Sequence, residues 1–201
     1  MNTLEFRGAA VNTRHIDRAV EALQAGDIII LPTDTLYALA CDALNPRAVE
    51  SLCRIKGINP DKNLLSIICS DMSQASEYAR IDNRAFRVLK VNLPGPFTFI
   101  LPADTRLPKV FKSRKTVGVR IPDNAVAVAL AESLGHPLLA TSVEIAEEAE
   151  AVEPDAIAMH YESRAALLLD AGTGGTVPST IIDLTDSSAP EVIREGLGEP
   201  R

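Results

Sequence analysis

Residues 31–42 read Leu-Pro-Thr-Asp-Thr-Leu-Tyr-Ala-Leu-Ala-Cys-Asp and follow a short apolar run, Ile-Ile-Ile, at 28–30. That run is typical of a buried strand. The polar side chains after it are expected to bond to one another or to a ligand, because an unsatisfied polar group beside a buried strand is costly. We therefore interpret residues 31–42 as the floor of a pocket. A turn that begins at Pro32 and is closed by an Asx bond is the alternative.

Outward from this stretch, strand-like and helix-like segments alternate, which predicts an α/β layer architecture. The predicted strands lie at 28–30, 64–69, 97–101, 117–121, 138–141, 166–169, 180–182 and 192–193. The predicted helices are 16–23 before Gly26, 46–56 between Asn45 and Gly57, 72–78, a segment capped by Asp82, and a segment from Asp123 as N-cap to Leu134. No internal repeat or Gly/Ser-rich linker divides the chain, so we expect one domain over residues 1–201.

The bulk composition is that of a globular protein with a core of its own, since 46% of the 201 residues are apolar. The longest apolar runs are too short to cross a bilayer, and the first residues lack the pattern of a signal peptide. The three cysteines are scattered in apolar contexts and are expected to be reduced core thiols. Together these features predict a cytoplasmic protein with no membrane contact.

Charge is unevenly distributed in this acidic protein, whose net charge is −7. Cations concentrate in the central part of the chain, and an acidic run follows at 144–155. A basic region within an acidic protein suits an anionic small molecule or a locally docked RNA. The acidic run is either a lid or a solvated loop, and we favour the loop. The central cations are Lys56, Lys62, Lys109, Lys112, Arg114, Lys115 and Arg120.

Two lysines are candidates for binding an anion. Lys56 continues the apolar spacing of its helix and so lies at the end of the core-facing side. Its ammonium either reaches solvent along the helix edge or points into the pocket above residues 31–42. Lys62 precedes the next predicted strand and is expected at the same rim. Two lysines at one concavity favour an anionic ligand such as a triphosphate.

Arg120 stands in an otherwise apolar predicted strand. Burying an unpaired guanidinium is costly, so Arg120 needs a carboxylate or phosphate partner. A structural ion pair, with Asp34 as the candidate, and ligand binding both remain open.

Hydroxyl side chains stand at the ends of two predicted strands, Thr141 and Ser142 at one and Ser179 at the other. Such positions often meet ligands. The sequence has no clear nucleophile–base pair, no metal-ligand spacing and no Gly-rich phosphate loop. A bound nucleotide would therefore be held by cations and hydroxyls, with catalysis by positioning and charge neutralisation.

Seven blocks of sequence, taken in order, resemble the YrdC/YciO family from about residue 14 to residue 198. The blocks are Pro-Thr-Asp-Thr-Leu-Tyr at 32–37, the helix that ends at Lys56, Pro-Gly-Pro-Phe-Thr at 94–98, Gly-Val-Arg-Ile-Pro at 118–122, Thr-Ser at 141–142, Pro-Ser-Thr-Ile-Ile-Asp at 178–183 and Ile-Arg-Glu-Gly at 193–196. The resemblance implies a single-domain, twisted mixed sheet with a basic concave surface. It further implies that L-threonine, bicarbonate and ATP, with Mg²⁺ as the expected metal cofactor, are joined into threonylcarbamoyladenylate for modification of tRNA adenosine 37.

The resemblance also assigns roles to residues. Thr33, Thr35 and Tyr37 would lie on the threonine side, and Lys56 and Lys62 would meet the triphosphate or the bicarbonate-derived group. Arg120 would anchor the nucleotide or the substrate carboxylate. Thr141 would lie beside the nucleotide, Ser142 and Ser179 would hydrogen-bond it, and Arg194 would complete the phosphate surface.

Three positions depart from the pattern of active synthases. Ile58 stands where the family carries arginine in Lys-x-Arg, Glu144 where it carries asparagine in Ser-x-Asn, and Ala38 where glycine is usual. The sequences Lys-Gly-Ile at 56–58 and Thr-Ser-Val at 141–143, next to the first two departures, look more like the YciO branch. The departures leave three hypotheses: a synthase or an altered-substrate relative, a module that binds tRNA or double-stranded RNA without turnover, and a degenerate pocket kept for a partner protein. The sequence after Gly198 is too short for the second domain of the family's long form.

Overall fold

Ten strands form one mixed sheet in the computed structural model, which describes residues 1–6, 8, 11–111, 114–145 and 151–201. In chain order the strands are β1 (Asn2–Glu5), β2 (Ile29–Leu31), β3 (Ala38–Asp42), β4 (Ser66–Ile68), β5 (Phe97–Pro102), β6 (Thr116–Arg120), β7 (Leu138–Ser142), β8 (Leu167–Asp170), β9 (Thr180–Asp183) and β10 (Glu191–Arg194). Their order across the sheet is β1-β8-β2-β3-β7-β4-β6-β5-β9-β10. The predicted single-domain α/β fold with a twisted mixed sheet is confirmed.

Helices cover both faces of this sheet. They are α1 (Thr13–Ala25), α2 (Pro46–Lys56), α3 (Met72–Tyr78), α4 (Asn83–Asn92), α5 (Ala125–Leu134) and α6 (Pro154–Tyr161), with a short 3₁₀ helix at Lys109–Phe111. The apolar sides of α1 and α5 pack on one face, and α2, α3, α4 and α6 pack on the other. Two apolar cores result, because successive strand residues point to opposite faces.

Local capping explains where several helices begin and end. The side chain of Asn45 accepts hydrogen bonds from two backbone N–H groups of the first turn of α2, and Pro46 occupies its first position. Gly57 ends α2 in the left-handed conformation, with φ of 64°. The cap predicted at Asp123 is wrong by one residue. The side chain of Asn124 caps α5, whereas the N–H of Asp123 donates to Asp34 Oδ2 at 3.0 Å.

Several other elements differ from the predicted ones at their ends, and β1, β3 and α6 were not predicted. The strand predicted at 64–69 is shorter, at Ser66–Ile68. The loop predicted over 144–155 gives way to α6 at Pro154. Within that run Glu147, Glu148 and Glu150 lie outside the described residues, as does Lys112 of the basic segment. No helix in the described ranges is long and apolar enough to cross a membrane.

All three cysteines lie in the core and form no disulfide. Burial raises the pKa of the thiols of Cys41, Cys53 and Cys69, since a buried thiolate lacks the solvation it needs. The prediction of buried thiols is confirmed.

Small side chains run across the centre of the sheet. In register, Ala40 pairs with Ala140, Ala140 with Ser66, and Ser66 with Gly118. A Cβ on Gly118 would overlap Ser66 Oγ and would lie 3.0 Å from Thr98 Cγ2. This row therefore leaves a hollow on one face of the sheet, and Gly118 is needed to keep it open.

Candidate functional site

A cavity of about 160 Å³ lies beside this row of small residues, on strands at the centre of the sheet. Its polar lining comes from Thr35, Ser66, Thr98, Arg120, Thr141, Ser142, Ser179 and Arg194, and its apolar lining includes Leu52, Ile58, Leu64 and Ile181. Strand register explains part of this grouping, because Thr98 pairs with Ile181 and Ile181 with Arg194. Residues distant in the chain therefore meet at one concave site.

Arg120 is held in the cavity wall by a buried ion pair. Its Nη2 donates to Asp34 Oδ1 and to Thr35 Oγ1, both at 3.0 Å. The side chains of Arg120 and Asp34 are 13% and 9% exposed. Burial lowers the pKa of Arg120 and the charge of Asp34 opposes that shift. Arg120 Nε is buried and has no hydrogen-bond partner among the described residues, while the residue itself lines the cavity.

Arg194 supplies a second guanidinium to the cavity. Its Nη2 donates to the carbonyl oxygen of Ser179 at 2.7 Å, and Ser179 Oγ lies 2.8 Å from Thr98 Oγ1. Burial lowers the pKa of Arg194, and the charge of Arg194 in turn lowers the pKa of Arg120. Two arginines close enough to repel one another are stabilised by an anion between them.

Lys56 points toward the end of β7 and does not extend into solvent. Its Nζ donates to the carbonyl oxygen of Ser142 at 2.9 Å and pairs with Glu144 Oε1 at 2.8 Å. The Lys56 side chain is 5% exposed, and that of Glu144 is 74% exposed. Of the two orientations left open by the sequence, the solvent-directed one is not found, but Lys56 bonds to Ser142 and Glu144 at the edge of the cavity and is not part of its lining.

The 32–37 loop separates the cavity from a second one on its other side. Thr33 Oγ1 donates to the carbonyl oxygen of Leu36 at 2.7 Å and accepts from the N–H of Thr35 at 3.1 Å, so it closes the loop. Thr33 and Tyr37 line the second cavity, with the glycine-rich turn 172–175, and Thr35 lines both. Gly175 fits there because a Cβ would overlap the Thr35 carbonyl group.

Tyr37 is fully buried, and its hydroxyl donates to the carbonyl oxygen of Gly172 at 2.7 Å and accepts from the N–H of Ala171 at 3.0 Å. These bonds tie the 32–37 loop to the turn after β8. Tyr37 thus supports the pocket floor that the sequence predicted.

The structure brings six of the predicted site residues to the cavity surface: Thr35, Arg120, Thr141, Ser142, Ser179 and Arg194. Lys56 reaches its edge through Ser142. Lys62 lies on the exposed surface outside the cavity lining, and its backbone carbonyl accepts from Arg114 Nη1. Ile58 forms part of the apolar wall, so the wall carries no charge at that position.

Ser66 and Thr98 were not among the predicted site residues. Each is a polar residue inside an apolar strand, and that interruption was the available signal. Within the described residues, no group of three or more His, Cys, Asp or Glu side chains could hold a metal ion. The lining is instead suited to an anionic ligand held by guanidiniums and hydroxyls.

Comparison with known proteins agrees with this architecture. The Sua5/YciO/YrdC family model, described as "Telomere recombination", matches residues 21–196. YciO of Escherichia coli K12, described as uncharacterized, is 41% identical over 189 residues, which cover 92% of this chain and 91% of that protein. The crystal structure of E. coli YciO aligns with a TM-score of 0.90 and 38% identity, covering 99% of this chain and 98% of that chain.

Synthases are also among the relatives. The threonylcarbamoyl-AMP synthase of Bacillus subtilis 168 is 30% identical over 191 residues, which cover 93% of this chain and 55% of that protein. The crystal structure of P. abyssi Sua5 complexed with L-threonine aligns with a TM-score of 0.88 and 29% identity, covering 98% of this chain and 58% of that chain. The chain therefore belongs to the Sua5/YciO/YrdC family.

Proposed function

We propose that this protein joins L-threonine, bicarbonate and ATP into threonylcarbamoyladenylate and pyrophosphate, and that the product serves the modification of tRNA adenosine 37 in the cytoplasm. The observation that carries the proposal is the cavity that combines Arg120, Arg194 and the hydroxyls of three strands. It occurs in a fold that aligns with an L-threonine complex of P. abyssi Sua5 at a TM-score of 0.88.

The roles follow from the contacts. Arg120 is fixed by Asp34 and Thr35 and lines the cavity, where its guanidinium would meet the carboxylate of L-threonine or a phosphate oxygen. Arg194 and the Ser179 hydroxyl lie 3.4 Å apart in the cavity lining and would meet the nucleotide. Because the donors are fixed before the ligand arrives, they stabilise developing negative charge without reorganising.

The reaction needs two bond-forming steps. The threonine nitrogen attacks the carbon of bicarbonate, and water is lost to give a carbamate. A carbamate oxygen then attacks the α-phosphorus of ATP, and pyrophosphate leaves with the electron pair of the broken bond. The protein contributes mainly by holding the reactants in line and neutralising charge.

Mg²⁺ is proposed to enter with the nucleotide. The described residues do not supply an acidic or histidine cluster that would hold the ion by itself. Phosphate oxygens are the usual ligands of Mg²⁺ in nucleotide sites.

The activity is proposed to be slower than that of a synthase with the full motifs. Ile58 places an apolar side chain where an arginine would donate to an anion. Glu144 forms an ion pair with Lys56, so the lysine charge is already neutralised before a ligand binds. Each lost charge-assisted contact is worth about 1.5–3 kcal/mol, or about ten- to a hundredfold.

Release of pyrophosphate tests the proposal. We expect release that requires L-threonine, bicarbonate and ATP together, and that falls by at least about tenfold in Arg120→Met. Lys90→Met, a matched charge removal on α4 outside the cavity lining, should leave the rate unchanged. Release that is indifferent to L-threonine would overturn the proposal.

RNA binding is a second candidate function, favoured by one surface. Arg54, Lys62, Lys109, Arg114 and Lys115 are exposed, and none has a carboxylate partner among the described residues. The bond from Arg114 to the Lys62 carbonyl joins two parts of this surface, and the 109–111 helix lies against α2. The affinity for tRNA or double-stranded RNA should fall steeply as the salt concentration rises, and Lys62→Gln should make this dependence on salt less steep. An affinity that does not change with salt concentration would exclude RNA binding through phosphate contacts at this surface.

A further inference from the structure

The carboxylate that pairs with Lys56 belongs to an exposed side chain. A lysine with only 5% of its side chain exposed requires a countercharge, because an unpaired buried ammonium is strongly destabilising. Here the countercharge is Glu144, at 2.8 Å, and its side chain is 74% exposed. The lysine is therefore fixed in the protein, whereas the carboxylate can rotate into water.

The backbone of Glu144 is anchored even though its side chain is exposed. The hydroxyl of Tyr161 donates to the carbonyl oxygen of Glu144 at 2.9 Å and accepts from its N–H at 3.3 Å. Tyr161 belongs to α6 and is itself buried. The anchored backbone keeps the carboxylate beside Lys56, so Glu144 returns to the lysine whenever no other anion is there.

We propose that Glu144 is a displaceable counter-ion that competes with anionic ligands for Lys56. Its carboxylate thereby lowers the affinity of the site for polyanions. The proposal rests on the proposed function only in taking the cavity as the ligand site. A polyphosphate group that reaches Lys56 must first displace the Glu144 carboxylate. Lys56 stays in place meanwhile, because it also donates to the Ser142 carbonyl.

The charges around the cavity agree with this role. Arg120 is paired with Asp34 and Lys56 with Glu144, which leaves Arg194 as the one of these three cations without a carboxylate partner in the described ranges. A site balanced in this way attracts a polyphosphate less strongly than the same site would with Lys56 unpaired. Removing the charge of Glu144 would add one uncompensated cation at the end of β7.

Inorganic pyrophosphate is the probe, because it tests the anion site without requiring any chemistry. Its affinity is measured by calorimetry for the unmodified protein, for Glu144→Gln and for Glu132→Gln. Glu132 is exposed on α5 and outside the cavity lining, so its variant makes the same charge change at a distance. We expect pyrophosphate to bind Glu144→Gln about tenfold more tightly, as for one regained charge-assisted contact, and Glu132→Gln as it binds the unmodified protein.

A double variant shows whether the gain passes through Lys56. In Lys56→Met/Glu144→Gln the tenfold gain should disappear. The proposal would be overturned by equal pyrophosphate affinity of Glu144→Gln and the unmodified protein, or by an equal gain in affinity in Glu132→Gln. It would also be overturned by a gain that remains when Lys56 is replaced, or by no measurable binding to any variant. Pyrophosphate that binds as expected to a protein that forms no threonylcarbamoyladenylate would refute the proposed function and leave the role of Glu144 standing.

Discussion

Replacing Asp34 is expected to destabilise the protein, because its carboxylate pairs with Arg120 of the cavity wall. Asp34→Ala removes the partner of Arg120 and the acceptor for the N–H of Asp123, both at 3.0 Å. Breaking a buried pair by deleting one partner costs about 3–5 kcal/mol. Arg120 retains its bond to Thr35 and borders a cavity that water can enter, so we expect the lower end, about 3 kcal/mol. For a chain of this size, that corresponds to a fall in Tm of about 6–12 °C.

The assay is chemical and thermal unfolding of Asp34→Ala beside Asp17→Ala. Asp17 is exposed on α1, so its variant should change the free energy of unfolding by less than about 0.5 kcal/mol. Replacing both partners, in Asp34→Leu/Arg120→Met, should recover part of the loss, because an apolar pair leaves no uncompensated charge. An Asp34→Ala protein as stable as Asp17→Ala would refute this account of Arg120.

Three further changes test other parts of the structure. Tyr37→Phe leaves two backbone groups without their hydroxyl partner and should lower the free energy of unfolding by about 1–3 kcal/mol in urea titrations, whereas an unchanged value would contradict its bracing role. Gly118→Ala should lower the free energy of unfolding by about 1–3 kcal/mol, because the added Cβ overlaps Ser66 Oγ. The double variant Gly118→Ala/Ser66→Ala should be less destabilised, and equal stability of Gly118→Ala and the unmodified protein would contradict the overlap. Ser187→Ala removes the hydrogen bond that most lowers the pKa of Asp82, so the pKa of Asp82 should rise in an NMR titration. The lowered pKa of Asp82 stabilises the folded protein above the unfolded-state pKa, and this contribution is lost as the pH falls through the folded-state pKa. That contribution should be smaller in Ser187→Ala. An unchanged pKa of Asp82 in Ser187→Ala would show that the Ser187 hydroxyl does not stabilise the Asp82 carboxylate.

Helix caps and strand periodicity predicted much of the fold, because both depend on neighbours in the chain. Asn45, Gly57 and Gly135 cap the helices as expected, and the 72–78 helix has the predicted ends. β3 was missed because its residues are buried on both faces, which removes the alternation that marks a strand. The order of the strands depends on pairings between distant segments, such as β1 with β8, which periodicity does not contain.

The candidate site was predictable where one residue conflicted with its surroundings. Arg120 in an apolar strand required a countercharge, and the suggested partner Asp34 is the one found. The pairing of Lys56 with Glu144 was not predicted, since it depends on where β7 ends relative to α2. Lys62, close to Lys56 in sequence, is exposed and lies outside the cavity lining, because nearness in the chain does not fix where a loop side chain points.

Mass spectrometry after incubation with ATP, Mg²⁺, L-threonine and ¹³C-bicarbonate detects the proposed product itself. We expect ¹³C-labelled threonylcarbamoyladenylate from the unmodified protein, no product without L-threonine, and a faster reaction in Ile58→Arg/Glu144→Asn. Product from that double variant alone would contradict the proposed function, because the scaffold would then be intact while the native side chains prevent the reaction.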